Sequence, residues 1–197
     1  METRYPFYRQ LDYTDCGLTC LKMVAAHHGK VYSIDYLRDG FRLTVGLAEV
    51  SQAAEKIGLR TLKARLTYRQ LIEESPLPCI LCWNQTQFVV LYGVQKSRWR
   101  RWLANDTNGH TDRLLIGDPS HTLFDIDKTT FITNWAGGPE GRGTCLLLDP
   151  TPEFEHYSEP IPAKAKAIPA TPSWLQGTAE TLLAERPQYD YIYNTLL

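Results

Sequence analysis

A cysteine at the start of a predicted helix is the feature that most constrains this chain. The pattern that begins at Cys16 is helical, with Asp15 as the expected N-cap and Gly29 as the expected stop. Three positions share one face of this helix: Cys20, Leu21 and Val24. A thiol at a helix N-terminus lies at the positive end of the helix dipole, which favours the thiolate. Cys16 is therefore a candidate nucleophile.

A glutamine lies six residues before this cysteine. The amide of Gln10 is a candidate hydrogen-bond donor to an oxyanion that forms beside the sulfur of Cys16. A glutamine followed by a cysteine at a helix start is the arrangement of a papain-type nucleophile.

The residues around this pair form a longer motif, Gln10-x-Asp12-x-x-Asp15-Cys16-Gly17-x-x-Cys20. It resembles the opening motif of the bacteriocin-processing cysteine peptidases, cysteine peptidase family thirty-nine. Further landmarks of that family follow in order: Pro78 to Asn84, Phe88 to Leu91, Gly117-Asp118-Pro119, Phe131-x-x-x-Trp135-x-Gly137, and Leu146 to Phe154. The resemblance covers about residues 8–155.

The resemblance implies a fold and a function. It implies an α+β, papain-like domain in which N-terminal helices pack on an antiparallel sheet. Family members form the N-terminal domain of peptide-exporting ABC transporters and cut a leader peptide after a double glycine, without a cofactor. By this resemblance Cys16 is the nucleophile, Gln10 contributes to the oxyanion hole, and Asp118 orients the catalytic histidine.

The histidine itself is absent. The family's histidine stands just before the apolar strand, and this chain has Gln87 there. Glutamine forms hydrogen bonds but does not titrate, so it cannot take a proton from a thiol or donate one to a leaving amine. General acid–base help contributes about 10²–10⁴-fold to rate, and we expect low activity or none in this chain.

Three explanations of Gln87 remain open. In the first, the chain is a natural relative that binds peptides without cutting them. In the second, it is a peptidase whose histidine was replaced to trap substrate. In the third, it is an enzyme in which another histidine takes the place of the missing one. The other histidines are His27, His28, His110, His121 and His156. Of these only His121 is close in sequence to a site element, and we interpret it as a loop histidine.

Composition and charge fit a cytoplasmic domain. The chain has 197 residues and a net charge of −1, which does not favour nucleic acid as a partner. No run approaches the ~18 apolar residues of a membrane span, and the N-terminus has no signal-peptide core. The five cysteines are odd in number and are interpreted as reduced, with Cys20 and Cys145 in the core. Cys79 and Cys82 are expected on opposite faces of one strand.

The chain is predicted to have three parts. Residues 1–155 form the peptidase-like domain, 156–172 a Pro/Ala/Lys linker, and 173–197 a tail with a short helix. Helices are expected from Cys16, after Ser33, after a Thr44 cap and over 67–74, and strands near 59–66, 79–83, 87–94, 112–117, 122–126 and 144–149. The basic and aromatic segment Lys96–Trp102 is interpreted as a hairpin end, with docking to a protein or membrane surface as the functional alternative.

Three functions are compatible with these observations. The first is a leader-peptide peptidase impaired at Gln87. The second is a non-catalytic domain that docks the exported peptide, and the third is an interaction module that keeps only the scaffold. The expected partners are a leader peptide and the membrane and ATPase parts of an ABC transporter. The expected location is the cytoplasmic face of the bacterial membrane.

Overall fold

The computed structural model describes residues 5–39, 46–95, 112–137 and 140–157. The chain divides into two compact units, Met1–Glu159 and Pro160–Leu197, and the described residues all belong to the first. Thr44, Lys96–Trp102 and nearly all of the predicted linker and tail lie outside the described residues.

Three helices come first in the chain. They are α1 (Cys16–His27), α2 (Ile34–Arg38) and α3 (Leu47–Lys56), and a 3₁₀ turn at Tyr13–Asp15 leads into α1. Helix α1 ends as its sequence predicts, because Gly29 adopts a φ of 85° that favours glycine. The Ser33 side chain caps α2 by accepting a hydrogen bond from the Tyr36 N–H at 3.1 Å, as predicted.

Six antiparallel strands form one sheet. They are β1 (Leu59–Thr67), β2 (Cys79–Trp83), β3 (Gln87–Gln95), β4 (Arg113–Gly117), β5 (Leu123–Asp127) and β6 (Arg142–Pro150). Their order across the sheet is β1-β6-β2-β3-β4-β5. Three short helices interrupt the strands or follow them: α4 (Tyr68–Glu73), α5 (Lys128–Trp135) and α6 (Pro152–His156).

Helices cover both faces of the sheet. One cluster of buried side chains joins α1 and α3 to the sheet, through Leu18, Leu21, Val50, Ile80, Val90 and Leu146. The other joins α4 and α5 to the opposite face, through Leu71, Leu81, Leu91, Phe131 and Trp135. Leu18 and Leu21 are fully buried, and each such leucine contributes about 1.5–3 kcal/mol to folding. The layer of α1–α3 thereby fixes Cys16 against the sheet.

Some details differ from the sequence predictions. The N-cap of α3 is Gly46 instead of Thr44. Asp15 precedes α1 but makes no capping hydrogen bond, because its carboxylate pairs with Arg38. Helices α5 and α6 were not predicted, although Asp127 caps α5 by accepting from the Thr130 N–H at 3.0 Å.

The predicted positions of the structural cysteines are confirmed. Cys20, Cys79 and Cys145 are fully buried, whereas Cys82 is half-buried, as expected for a neighbour of Cys79 on the other face of β2. All five cysteines are free thiols. No helix within the described part of the chain has the length and apolar character needed to span a membrane.

Candidate active site

Cys16 lies at the first position of α1 and contacts β3 directly. Its thiol donates a hydrogen bond to the carbonyl oxygen of Phe88 at 3.1 Å and accepts one from the Phe88 N–H at 3.2 Å. The side chain is 8% exposed. Since Gln87 is the residue before Phe88, the helix and the start of β3 meet at the position where the resemblance expects the cysteine and the histidine.

Close packing around Gly17 allows this approach. A Cβ at Gly17 would lie 2.6 Å from a methyl group of Val50 and 3.3 Å from the Phe88 ring. Glycine is therefore required directly after Cys16, because any larger residue would push the first turn of α1 away from α3 and β3.

The environment of Cys16 favours its thiolate. A hydrogen bond with the thiol of Cys20 is the main cause that lowers the pKa of Cys16, and the Phe88 N–H lowers it further. Burial and the negative charge of Asp118 oppose this change. Cys20, one helical turn away, has its own pKa raised, mainly by burial and then by its bond to Cys16. Cys20 thus lies in the core and also contributes to the lowered pKa of Cys16.

We expect Cys16 to be the most reactive of the five cysteines. Burial raises the pKa of Cys79, Cys82 and Cys145, and that of Cys145 to about 11, so their thiolates are scarce at neutral pH. Alkylation with iodoacetamide, followed by mass mapping, should label Cys16 first. Its rate should reach half of its maximum at a lower pH than that of a cysteine in a short peptide. Earlier labelling of Cys79 or Cys145 would contradict this assignment.

Asp118 follows β4 at the same end of the sheet and is 6% exposed. One carboxylate oxygen accepts a hydrogen bond from the Ser120 N–H at 2.8 Å, and the other accepts one from Nδ1 of His121 at 2.9 Å. The His121 side chain is 70% exposed. The interpretation of His121 as a loop histidine was therefore incomplete, because this side chain binds the carboxylate that would orient a catalytic imidazole.

Gln10 lies beside the Asp118 loop. Its backbone N–H donates to the carbonyl oxygen of Pro119 at 3.0 Å, and its side-chain oxygen Oε1 is buried without a partner among the described residues. The 3₁₀ turn connects Gln10 to Cys16, so the candidate oxyanion donor and the candidate nucleophile belong to one continuous segment.

Gln87 is half-buried at the first position of β3, where it pairs with Trp83 of β2. Within the described part of the chain, its side chain forms no hydrogen bond with Cys16 or Asp118. The structure therefore brings Cys16 to the backbone beside Gln87 and places Asp118 within electrostatic range of the thiol, but no titratable side chain of β3 joins them.

One signal in the sequence could have identified an additional site residue. Cys20 is four residues after Cys16, the spacing at which helical side chains meet. The contact between Cys16 and Phe88 spans 72 residues and has no comparable local signal.

Comparisons with known proteins agree with this geometry. The sequence model of the Peptidase C39 family matches residues 4–139. The colicin V secretion/processing ATP-binding protein CvaB of Escherichia coli is 36% identical over 101 residues, which are 50% of this chain and 14% of that protein. The probable microcin-H47 secretion/processing ATP-binding protein MchF, also of Escherichia coli, is 35% identical over 99 residues, with the same 14% of its length. The chain thus spans a small part of these relatives.

Two solved structures share the fold. The first is a double glycine motif protease from an AMS/PCAT transporter in complex with the leader peptide. It is 26% identical with a TM-score of 0.60, over 75% of this chain and 92% of that one. The second is the peptidase domain of Streptococcus ComA, a bifunctional ABC transporter of a quorum sensing pathway. It is 26% identical with a TM-score of 0.58, over 75% of this chain and 99% of that one.

Proposed function

Because this chain belongs to the Peptidase C39 family, we propose that it recognises the double-glycine leader of an exported peptide and that Cys16 is the nucleophile of the domain. The observation that carries the proposal is the position of Cys16. Its thiol lies at the N-terminus of α1, is bonded to the backbone of Phe88, and has a lowered pKa.

The chemistry of cleavage follows from the roles proposed for three residues. The thiolate of Cys16 attacks the carbonyl carbon of the second glycine, and the Gln10 amide stabilises the oxyanion that forms. We assign to Asp118 the role of orienting an imidazole at position 87. Gln87 cannot donate a proton to the leaving amine, so the peptide C–N bond breaks slowly in this chain even when the leader is correctly bound.

A second candidate function is a docking domain that binds the leader without cutting it. Two observations favour it. The Asp118 carboxylate is occupied by His121 and Ser120, and its charge opposes the thiolate of Cys16 because no imidazolium stands between them. In either function the partners are a leader peptide and the membrane and ATPase parts of an ABC transporter, at the cytoplasmic face of the membrane.

Leader binding tests both candidates. We expect the full chain to bind a synthetic amphipathic helical leader that ends in two small residues, by insertion of its apolar face into a groove. Isothermal titration calorimetry measures this binding, and a scrambled peptide of equal composition, which has no continuous apolar face, is the control. If none of a panel of double-glycine leaders binds more tightly than its scrambled form, the chain is a scaffold without peptide recognition.

A further inference from the structure

A polar cavity lies beside the candidate active site and has no assigned role. Its volume is about 390 Å³, and it is lined by residues of β1, β2, β6, α5 and the turn between β2 and β3. Strands β2 and β6 pair only at Ile80–Leu146 and Leu81–Cys145 and then diverge. Six of the residues that line the cavity matter for its chemistry: Arg65, Cys82, Asn84, Asn134, Arg142 and Thr144.

The cavity and Cys16 are at the same end of the sheet. Gln87 and Phe88 begin β3, Trp83 ends β2, Arg142 begins β6, and Thr67 ends β1. Because neighbouring strands run antiparallel, these four strand termini lie at the same end of the sheet. Cys82, which lines the cavity, is the direct partner of Phe88, whose backbone holds the thiol of Cys16.

Four of the lining residues lie on the side of the sheet that α1 and α3 cover, which is also the side of Cys16: Arg65, Cys82, Arg142 and Thr144. Leu146 of β6 packs in the cluster formed with α1 and α3, and Thr144 lies two residues away along the strand, on the same side. Arg65 pairs with Thr144 in the β1–β6 register and shares that side. Arg142 follows by the same alternation. Thr133, Asn134 and Trp135 of α5 also line the cavity, so it lies at the end of the sheet and is lined from both faces. The two arginines lie on the side of β3 away from Asp118, which follows β4.

The charges around the cavity select an anion. Arg65 and Arg142 both line it, and Arg142 has no ion pair with any residue in the described segments. Arg65 contacts the carboxylate of Glu140 at 3.5 Å, and the side chains of this pair are 59% and 64% exposed. Such an exposed pair is weak, so Glu140 is exchangeable for another carboxylate. The amides of Asn84 and Asn134 and the hydroxyl of Thr144 add neutral polar groups.

The spacing of the strands sets a lower limit to the distance from the reacting bond. Arg142 is two strands from β3 and Arg65 is three strands from it, which gives at least roughly 10–14 Å at about 4.8 Å per strand, because β2 and β6 diverge beyond Leu81. An extended peptide needs at least about three or four residues, at roughly 3.3 Å each, to cover this distance. We propose that this cavity binds an acidic side chain of the peptide substrate, at least about three residues from the bond beside Cys16, through Arg65 and Arg142. This inference rests on the proposed function and adds a specificity site to it.

The test measures binding of labelled peptides to the full chain by fluorescence anisotropy. The peptides are double-glycine leaders followed by a few cargo residues, with one glutamate moved along the positions that flank the Gly-Gly bond and glutamine at the same position as the matched peptide. We expect glutamate at one position, at least about three residues from the bond and on one side only, to improve affinity. In the double variant Arg65→Gln/Arg142→Gln, the ratio of the affinities for the glutamate and glutamine peptides should fall by about five- to tenfold. The affinity for the glutamine peptide should stay unchanged.

Two further variants sharpen the result. Arg69→Gln removes another exposed arginine that pairs with a carboxylate, Glu73, and should change nothing. Glu140→Gln removes the competing carboxylate and should strengthen glutamate peptides about two- to threefold. Two results would overturn the cavity assignment and leave the proposed function intact. One is an equal loss of affinity for the glutamate and glutamine peptides in Arg65→Gln/Arg142→Gln, and the other is no preference for glutamate at any position. Absence of binding by every peptide would overturn both the cavity assignment and the proposed function.

Discussion

Gln87→His is expected to raise kcat/KM for cleavage after a double glycine by about 10²–10⁴-fold. The new imidazole would stand next to Phe88, whose backbone already holds the Cys16 thiol at 3.1–3.2 Å. It would form an ion pair with the thiolate and later donate a proton to the leaving amine. Mass spectrometry of a double-glycine precursor peptide measures the rate in both proteins.

Two second-site variants are the controls for this gain. Cys16→Ala in the Gln87→His protein should abolish cleavage, and Gln10→Ala should reduce it by about 10²–10³-fold if its amide donates to the oxyanion. If the present chain cleaves precursors as fast as Gln87→His, position 87 is not the site of the acid–base group, and His121 is the first residue to examine in its place.

Asp118→Asn should have opposite effects in the two proteins. In the present chain the Asp118 charge raises the pKa of Cys16, so its removal should lower that pKa and speed alkylation of Cys16 at neutral pH by about two- to tenfold. In the Gln87→His protein the same change removes the group that orients the imidazole, and cleavage should fall by about 10²–10⁴-fold. Asparagine retains an oxygen that can accept from the Ser120 N–H, which limits the effect on folding.

His121→Ala separates the charge of Asp118 from its hydrogen bond. In the present chain this variant keeps the carboxylate charge and should not speed alkylation of Cys16. In the Gln87→His protein it frees the oxygen that His121 occupies at 2.9 Å, so the new imidazole can use it and kcat/KM should rise further. If Asp118→Asn slows both the alkylation of Cys16 in the present chain and the cleavage by the Gln87→His protein, Asp118 does not act on Cys16 through its charge.

The elements that the sequence predicted correctly have local causes. Helix α1 follows from its apolar face and from Gly29, and α4 from the capping box of Thr67 and Gln70. Helix α5 was not predicted, although Phe131 and Trp135 share one face of it. The helix has only 8 residues, so its apolar pattern is too short to indicate a helix.

The parts of the site that could not be predicted depend on contacts between distant residues. Asp15 was expected to cap α1, but Arg38, 23 residues later, binds its carboxylate. The bond between Cys16 and the Phe88 backbone requires α1 and β3 to pack together, which no local pattern encodes. The bond between His121 and Asp118 depends on the conformation of the turn between β4 and β5, where residue types alone did not indicate that the imidazole faces the carboxylate.

The turn between β2 and β3 determines how readily the residue at position 87 can be exchanged. Asn84 and Gln85 have φ values of 47° and 64°, and this tight turn fixes the pairing of Trp83 with Gln87 through the backbone. Either glutamine or histidine can occupy position 87 without a change in the register between β2 and β3. Their codons differ only at the third base. If Gln87→His restores cleavage as expected, a single point mutation separates the proposed leader-binding domain from a leader-cutting one, and proteolysis can be lost or regained without a change of peptide partner.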